Sequence, residues 1–260
     1  MGYELSAPIQ KFQDALKEDD NIMEYINNRT GPLALPEGIH FVGFLNSLET
    51  NPVSDNPDVS IYITHFASSI PIDNLNLNSE VLEFFRPYRE TNTISCQMSN
   101  LYTKSIGTVT LNSRNPYEQP LVDLNVYSDV QDAEDLVGAL KVCRNIMSTP
   151  EIRRLGVRPF NQLLPGCQQH TDDDESYLRC YVRNIVMEGA HVTGTAKMGS
   201  AQDPTTVVDP ELRVKNVEGL RVIDASVTPN VPWGNTYIPT AMVAEKASDM
   251  IKATLLRGKR

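Results

Sequence analysis

Residues 191–199 read His-Val-Thr-Gly-Thr-Ala-Lys-Met-Gly, and Asn235 follows the histidine by 44 positions. Of the four histidines, only His191 lies among glycines and small residues, which permit unusual backbone angles and the close approach of a ligand. An unperturbed imidazole titrates near neutral pH, so His191 is a candidate general base. Taken alone, the spacing also fits a loop histidine that bonds a backbone carbonyl. The residues around this stretch decide between the two interpretations, and with them the fold class.

Two further polar residues follow the histidine at points where regular structure is expected to change. Asp224 ends the apolar run 220–224, where a carboxylate can accept a hydrogen bond from a ligand hydroxyl or cap the next turn. Asn235 lies just ahead of a predicted helix, whose N-terminal N–H groups can stabilise an anion such as the anionic form of a reduced flavin. The alternative for Asn235 is an ordinary loop asparagine.

Composition excludes several classes of function. The chain has 260 residues, is 40% hydrophobic and has a net charge of -10, so it can bury a sizeable core but has no basic stripe for nucleic acid. No apolar run approaches the roughly 18 residues that cross a membrane, and no signal-peptide pattern is seen at the start. The sequon at residues 28–30 is compatible with secretion of a longer parent, and the compartment stays open.

The four cysteines form no CxxC pair, and no two histidines have metal-ligand spacing, so we expect no metal site. Cys167 and Cys180 flank a polar loop that a disulfide could close in an oxidising compartment. Cys143 lies in an apolar helical run and is expected to pack as a small hydrophobe.

Hydrophobic periodicity predicts helices and strands in mixed order. The helices are predicted at residues 7–26 (broken near 19–20), 130–147 and 177–186, and a final helix has Pro239 near its start and Gly258 at its end. The strands are predicted at 41–45, 59–66, 93–99, 107–112, 207–210 and 212–217, with a buried strand at 220–224. Residues 28–36 read as a loop, and the polar stretch 74–92 fits no element clearly. This order favours an α+β fold in which an antiparallel sheet carries helices on one face.

The histidine segment begins a longer pattern with many fixed offsets. It comprises His191-x-x-Gly-Thr-x-Lys-Met-Gly199, Val208-Asp-Pro-x-Leu-Arg-Val214, Gly219-Leu-Arg-Val-x-Asp-Ala-Ser226 and Gly234-Asn-Thr-x-x-Pro-x-x-Met-x-Ala-Glu-Lys246. This pattern resembles the C-terminal signature of the glucose-methanol-choline (GMC) oxidoreductases. Residues 107–123 resemble the family's substrate domain and residues 177–183 its insect version, so the resemblance covers nearly the whole chain.

The resemblance implies a chemistry for these positions. A histidine at position 191 accepts the proton of a substrate hydroxyl while hydride passes to N5 of FAD, and Asn235 hydrogen-bonds the same hydroxyl. Asp224, Ala225 and the backbone of Asn235 and Thr236 would line the FAD. The implied substrate is a small alcohol, sugar or steroid. Nucleic acid and membrane are not expected as partners.

Departures from the family pattern are of two kinds. Val192 and Ala196 replace the proline and cysteine common in the family, and Tyr237 and Ile238 replace smaller or more polar residues, which changes local shape without removing a reacting group. The larger departure is that none of the 14 glycines forms Gly-x-Gly. The GxGxxG loop that seats the FAD pyrophosphate is therefore absent.

The resemblance therefore implies an incomplete protein. Residues 1–175 would form the substrate-binding domain, and residues 176–260 would carry the histidine and form the C-terminal portion of an incomplete α/β FAD-binding domain. The N-terminal FAD domain, found in family chains more than twice this length, would be the missing partner, and this chain alone would not hold FAD tightly. Two alternatives stand beside an oxidoreductase fragment: a non-catalytic binding or interaction module, and a lyase that uses the same fold and histidine.

Overall fold

A computed structural model of the chain describes residues 1–6, 12–34, 39–47, 55–65, 77–88 and 91–257. These residues form two compact units, each continued after an insertion from the other. Unit 1 comprises Met1–Asn100 and Ala133–Met187, and unit 2 comprises Leu101–Asp132 and Glu188–Arg260.

Unit 1 is built on a five-stranded antiparallel sheet with the strand order β2-β3-β4-β1-β7. Its strands are β1 (Gly2–Glu4), β2 (Ile39–Leu45), β3 (Val59–His65), β4 (Thr93–Asn100) and β7 (Arg158–Pro159). Its helices are α1 (Phe12–Ala15), α2 (Asp19–Asn28), α3 (Ser79–Phe85), α4 (Val130–Met147, which begins in unit 2), α5 (Pro150–Arg154) and α6 (Asp174–Asn184). Short 3-10 turns lie at Pro32–Ala34, Arg86–Tyr88 and Gln168–His170.

One face of this sheet packs on the apolar side of α4. Ile61 lies opposite Met98 in the β3-β4 register, and the alternation of a strand sends Ile61 and Cys96 to the same side as their cross-strand partners. Both are fully buried, in one cluster with Cys143 and Met147 of α4. Each large aliphatic side chain removed from water in this way contributes about 1.5–3 kcal/mol, so the sheet and α4 stabilise each other.

An aromatic cluster lies beside strand β1. The rings of Tyr88 and Phe160 stack at 3.6 Å with an interplanar angle of 4°, and Phe84 meets Phe160 edge-on at 6.4 Å. Gly2 lies beside the Phe160 ring so closely that a Cβ there would be 2.1 Å from its Cε2. A residue without a side chain is therefore required at position 2.

Two disulfides cross-link unit 1. Cys167 and Cys180 close the polar loop between them, the pairing that the sequence allowed. Cys143 is buried in the core as expected, but it is bonded to Cys96 of β4 rather than packed as a free thiol. The expectation for Cys143 was wrong in this respect because it considered the helix alone, and the bond depends on the sheet that lies against that helix.

Unit 2 has little regular structure apart from its long C-terminal helix. It contains the hairpin β5 (Thr108–Thr110) and β6 (Leu121–Asp123), a 3-10 turn at Ala225–Val227, and α7 (Tyr237–Arg257). Its core is a small cluster of fully or nearly fully buried side chains: Val208, Leu212, Val227 and Ala247. Ala247 belongs to α7, so the helix is held against the irregular segment 198–227.

Most of the predicted elements of unit 1 are confirmed. The helix predicted at 130–147 has these bounds, and the strands predicted at 41–45, 59–66 and 93–99 correspond to β2, β3 and β4. The first helix is broken before Asp19, as predicted, although residues 7–11 lie outside the described part of the chain. The unassigned stretch 74–92 contains α3, whose N-cap Asn78 accepts a hydrogen bond from the backbone N–H of Val81.

The short strands predicted between residues 207 and 224 of unit 2 are wrong. Residues 207–210, 212–217 and 220–224 form isolated bridges, such as Val208 with Val214 and Arg213 with Arg221, and no continuous ladder. The run 220–224 is not buried, because Leu220 is 50% exposed and Asp224 is also exposed. A turn at Gly219 (φ +74°) and the 3-10 turn at Ala225–Val227 leave too few residues between them for a ladder.

Other boundaries differ by a few residues. The strand predicted at 107–112 shortens to β5, and the helix predicted at 177–186 begins at Asp174 because Asp173 caps it through the N–H of Glu175. The last helix begins at Tyr237, so Pro239 lies in its first turn, where proline is tolerated, and the predicted place of Pro239 near the helix start is confirmed. Gly258, the predicted end of this helix, lies outside the described residues.

Candidate active site

Two segments of unit 2 bring the candidate residues together. The segment after His191 is bound to the 3-10 turn, since the N–H of Ala196 donates to Ser226 O (3.0 Å) and the N–H of Met198 donates to Val227 O (2.8 Å). Helix α7 is anchored on the same core through Ala247. This anchoring sets the N-terminus of α7 beside the histidine loop.

The imidazole of His191 lies between the side chains of Asn235 and Thr236. Its Nδ1 is 2.9 Å from Thr236 Oγ1, and its Nε2 is 3.2 Å from Asn235 Nδ2. The backbone N–H of Thr236 also points at Nδ1, over a longer distance of 3.4 Å. The structure therefore brings together three residues that the sequence singled out, across separations of 44 and 45 positions.

The backbone that carries His191 is also fixed. The N–H of His191 donates to Glu188 Oε1 at 2.9 Å, so the carboxylate of Glu188 holds the backbone of the loop at His191. The preceding residue, Ala190, has φ +58°, a left-handed conformation that costs a non-glycine residue about 1–3 kcal/mol. A strained residue of this kind persists only where its surroundings hold it, so the orientation of the imidazole is set by the fold.

Exposure differs across the three side chains in a way that suits a reaction with a ligand. Asn235 is exposed, His191 is half-buried, and Thr236 is buried with 8% of its surface accessible. The Nε2–Asn235 side of the imidazole therefore faces the accessible side, and the Nδ1–Thr236 side faces the interior. A base needs one ring nitrogen directed at its substrate and the other held by the protein.

Asp224 and Ala225, which the resemblance also placed beside FAD, lie at the 3-10 turn. Asp224 is the N-cap of the 3-10 turn, where its Oδ1 accepts the N–H of Ser226 at 2.8 Å. Of its two alternatives, the capping role is therefore observed. Ala225 is half-buried in the same turn. Within the described residues, no hydrogen bond joins either of them to His191, and the backbone bonds of residues 196 and 198 connect the segment after His191 with this turn.

Two contacts were missed by the sequence reasoning. Thr236 was selected for its backbone alone, and the bond between its hydroxyl and Nδ1 was not foreseen. Glu188 was not selected at all, although a carboxylate three residues before a histidine is within reach of that histidine's N–H. The position of Glu188 was a usable signal, whereas nothing in the order of residues showed which way the Thr236 hydroxyl points.

The residues present fit part of a flavin site. Gly234 has φ +137°, and a Cβ there would meet no atom within 4 Å, so the chain ahead of α7 lies in open space. The partial positive charge at the N-terminus of this 21-residue helix suits an electron-rich group. Asn235 and Thr236 could hold such a group there, and Asp224 and Ala225 could contribute at the 3-10 turn. The set does not include a loop for the pyrophosphate.

Neither a metal site nor a membrane-spanning helix is found in the part of the chain that the structure describes. It contains no group of three His, Cys, Asp or Glu residues placed to bind a metal ion. Among the same residues, no helix has both the length and the apolar character needed to span a membrane.

Comparisons with known proteins show which proteins this chain resembles. Glucose dehydrogenase [FAD, quinone] of Drosophila melanogaster is 30% identical over 88% of this chain, and ecdysone oxidase of Bombyx mori is 32% identical over 90%. The chain spans only 36% and 35% of these two proteins, about a third of their length. Formate oxidase of Aspergillus oryzae shares the fold, with a TM-score of 0.73 over 97% of this chain and 45% of that chain at 22% identity.

A sequence profile described as GMC oxidoreductase matches residues 103–244. The matched range contains His191, Asp224, Asn235 and Thr236, and it is more than half of the chain. The mixed α+β architecture with an antiparallel sheet is the fold of the structures it resembles. The chain therefore belongs to the GMC oxidoreductase family and corresponds to its C-terminal region.

Proposed function

We propose that this chain is the C-terminal part of an FAD-dependent oxidoreductase that acts on CH–OH groups, with His191 as the proton acceptor. The observation that carries the proposal is the pair formed by His191 Nε2 and the Asn235 amide, 3.2 Å apart on the accessible side of the imidazole. A hydroxyl that approaches both atoms from the accessible side would meet a proton acceptor and a hydrogen-bond donor. Both are needed to remove its proton while the oxygen stays oriented.

The chain's own residues account for the proton in this reaction. His191 Nε2 takes the hydroxyl proton, and the Asn235 amide donates to the hydroxyl oxygen and holds the C–H bond in one direction. The chemistry that bound FAD would supply is acceptance of the hydride from that carbon, which would leave a carbonyl compound. The half-buried position of the imidazole limits competing bonds from water. General-base assistance of this kind contributes about 10²- to 10⁴-fold to a rate.

We infer further that residues 176–260 complete an FAD-binding domain whose remainder is supplied by a preceding region. The length of the relatives supports this, since this chain spans about a third of them. The surface of unit 2 supports it as well. Large apolar side chains are exposed on the first turns of α7, including Tyr237 at 78% and Ile238 at 69%. Single exposed hydrophobes are ordinary, but clustered ones mark a surface that another domain covers.

The β5-β6 hairpin provides a second exposed surface in the same unit. Leu111 is 87% exposed and Tyr117 is 92% exposed, and every residue of both strands is exposed. A two-stranded hairpin is marginally stable by itself in water. We infer that the hairpin also packs against the preceding region in the full-length protein.

The test of the base uses the full-length parent protein with its flavin bound. Under anaerobic conditions, an alcohol, sugar or steroid substrate is mixed with the enzyme, and flavin bleaching is followed by stopped flow. His191→Ala should slow flavin reduction about 10²-fold or more. Val192→Ala, which shortens the exposed neighbouring side chain, is the matched control and should have little effect. Near-normal reduction in the His191 variant would contradict the proposal.

The test of incompleteness uses the 260-residue chain alone. Because no GxGxxG loop is present, the chain should not retain FAD through gel filtration, and equilibrium dialysis should show no tight binding. A flavin spectrum that co-purifies with the monomer would contradict the inference. A colourless chain that binds an alcohol or steroid would favour the alternative of a binding module.

A further inference from the structure

We propose that Asn28 is a site of N-linked glycosylation, and that the full-length protein folds in the oxidising lumen where that modification takes place. The sequence contains one sequon in which the middle residue is not proline, Asn28-Arg29-Thr30. Because such triplets also occur by chance, the surroundings of Asn28 in the fold decide whether a glycan can be accommodated there. Modification of Asn28 is independent of the flavin chemistry proposed above.

The sequon lies in a surface turn of unit 1. Helix α2 ends at Asn28, and Arg29 takes the left-handed conformation (φ 57°, ψ 31°) while its N–H bonds Tyr25 O at 3.0 Å. A 3-10 turn follows at Pro32–Ala34. All three residues of the sequon are exposed. A glycan is bulky and hydrophilic, so an exposed turn of this kind is the setting in which it is carried.

The side chains of the sequon differ in how the fold holds them. The hydroxyl of Thr30 donates to Glu24 Oε1 at 3.1 Å, and the guanidinium of Arg29 lies 5.3 Å from the centre of the Tyr25 ring. The amide of Asn28 forms no hydrogen bond with any residue that the structure describes. A sugar attached to that amide would therefore break no contact of the described fold.

Helix α2 has an apolar side and a polar side, and Asn28 lies on the polar side. Successive residues of a helix are about 100° apart around its axis, so Ile22, Met23 and Ile26 fall on one side of α2. Asn28 is about 200° from Ile26 around the same axis and lies on the other side with Glu24. Met23 and Ile26 are half-exposed, and a region that covered them would still leave Asn28 in solvent.

The cysteines indicate the compartment in which the chain folds. All four are paired, Cys96 with Cys143 and Cys167 with Cys180. Disulfides form and persist in oxidising compartments such as the lumen of the endoplasmic reticulum, and they are rare in the cytosol. Cys96 and Cys143 are fully buried between the sheet and α4, so an oxidant cannot reach them once the fold is complete. This bond must form during folding, in a compartment where asparagine side chains also receive glycans.

The modification is a group transfer to the side-chain amide of Asn28. The co-reactant is an oligosaccharide carried on an isoprenoid diphosphate. The amide nitrogen forms a bond to the anomeric carbon of the first sugar, and the bond between that carbon and a diphosphate oxygen breaks. The isoprenoid diphosphate leaves and the amide gives up one proton, so no oxidant or reductant is consumed. The hydroxyl of Thr30 completes the sequon that the transferring enzyme recognises, and serine can replace it.

The test uses the full-length protein, expressed from its own coding sequence in insect cells and purified from both cells and medium. Trypsin cleaves after lysine and arginine and releases residues 18–29 as one peptide. Enzymatic removal of the glycan in water labelled with oxygen-18 converts a glycosylated asparagine to a labelled aspartate, and fragmentation of the peptide locates the label. We expect the label at Asn28 and at neither Asn21 nor Asn27. An unmodified peptide from the parent protein would overturn the proposal.

Four substitutions separate the sequon from its surroundings. Asn28→Gln and Thr30→Ala should each abolish the glycan on this peptide. Thr30→Ser, which keeps the hydroxyl, should retain it, and so should the matched control Asn27→Gln, which changes the exposed neighbour outside the sequon. A glycan that survives in Thr30→Ala would contradict the proposal.

The compartment is tested on the same preparation. Alkylation of the denatured, unreduced protein should leave all four cysteines of this chain unlabelled, and complete labelling of the four would overturn the assignment of an oxidising lumen. The rate of flavin reduction enters neither measurement, so a failure of the proposed function would leave both results standing.

Discussion

In the 260-residue chain taken by itself, acidification from pH 8 to pH 5 should destabilise the fold through one group, the N-terminal amine of Met1. The amine donates to Cys96 O at 2.7 Å, and Met1 O accepts the N–H of Cys96 at 2.8 Å, so the first residue is part of the sheet ladder. Burial lowers the pKa of this amine from 8.0 to about 5. The neutral amine can still donate the hydrogen bond, whereas its protonated form must be desolvated.

The direction of the change in stability with pH follows from the number of protons that each state binds. Between pH 5 and pH 8 the unfolded chain binds a proton at the amine and the folded chain does not, so the free energy of unfolding rises with pH over this window. The difference between a pKa of 8.0 and one of about 5 corresponds to about 4 kcal/mol. That is a large share of the roughly 5–15 kcal/mol by which a folded domain is stable. Below pH 5 the contribution of this group should become constant.

The assay is urea unfolding at several values between pH 5 and pH 8, followed by circular dichroism. The chain with a free amine at Met1 is compared with the same chain acetylated there, which keeps an N–H donor and cannot be protonated. Histidines and carboxylates contribute equally to both forms, so the difference between the two curves isolates the amine. As the pH falls from 8 to 5, the acetylated form should gain several kcal/mol of stability relative to the free amine, in addition to a constant offset from the space that the acetyl group occupies. Parallel curves across the whole range would refute the reasoning.

Substitutions at three places test other parts of the packing by the same unfolding measurement. Replacing both Cys167 and Cys180, 13 positions apart, should cost about 3 kcal/mol through loop-closure entropy, and an equal effect of reductant on the variant and the parent would contradict this. Gly2→Ala should cost about 1–3 kcal/mol because its Cβ would lie 2.1 Å from Phe160, and Phe160→Leu should relieve the cost. Asp132→Ala should cost about 2–4 kcal/mol because the buried carboxylate accepts two backbone N–H groups at 2.9 and 2.8 Å. A loss below 1 kcal/mol for Asp132→Ala would mean that these bonds contribute little.

Elements whose pattern is local could be predicted from the sequence. The 18-residue helix α4 has its predicted bounds because apolar residues recur at helical spacing over five turns. Strands β2, β3 and β4 alternate or run apolar over seven or eight residues, long enough for the pattern to be clear. The run 220–224 is just as apolar, but without a continuous partner it makes only a bridge. A strand is a property of two segments, and one segment cannot reveal it.

The candidate site also has features that the sequence predicts and features that only packing decides. The order of residues alone determined the family pattern, and with it the pairing of His191 and Asn235, because fixed offsets in a long motif depend only on sequence. The tertiary structure decided the contacts of the ring, since the rotamer of Thr236 and its distance of 2.9 Å from Nδ1 depend on how α7 packs on the core of unit 2. It likewise decided that Cys143 bonds Cys96. Each of these features joins residues far apart in the chain, and packing is what brings them within bonding distance.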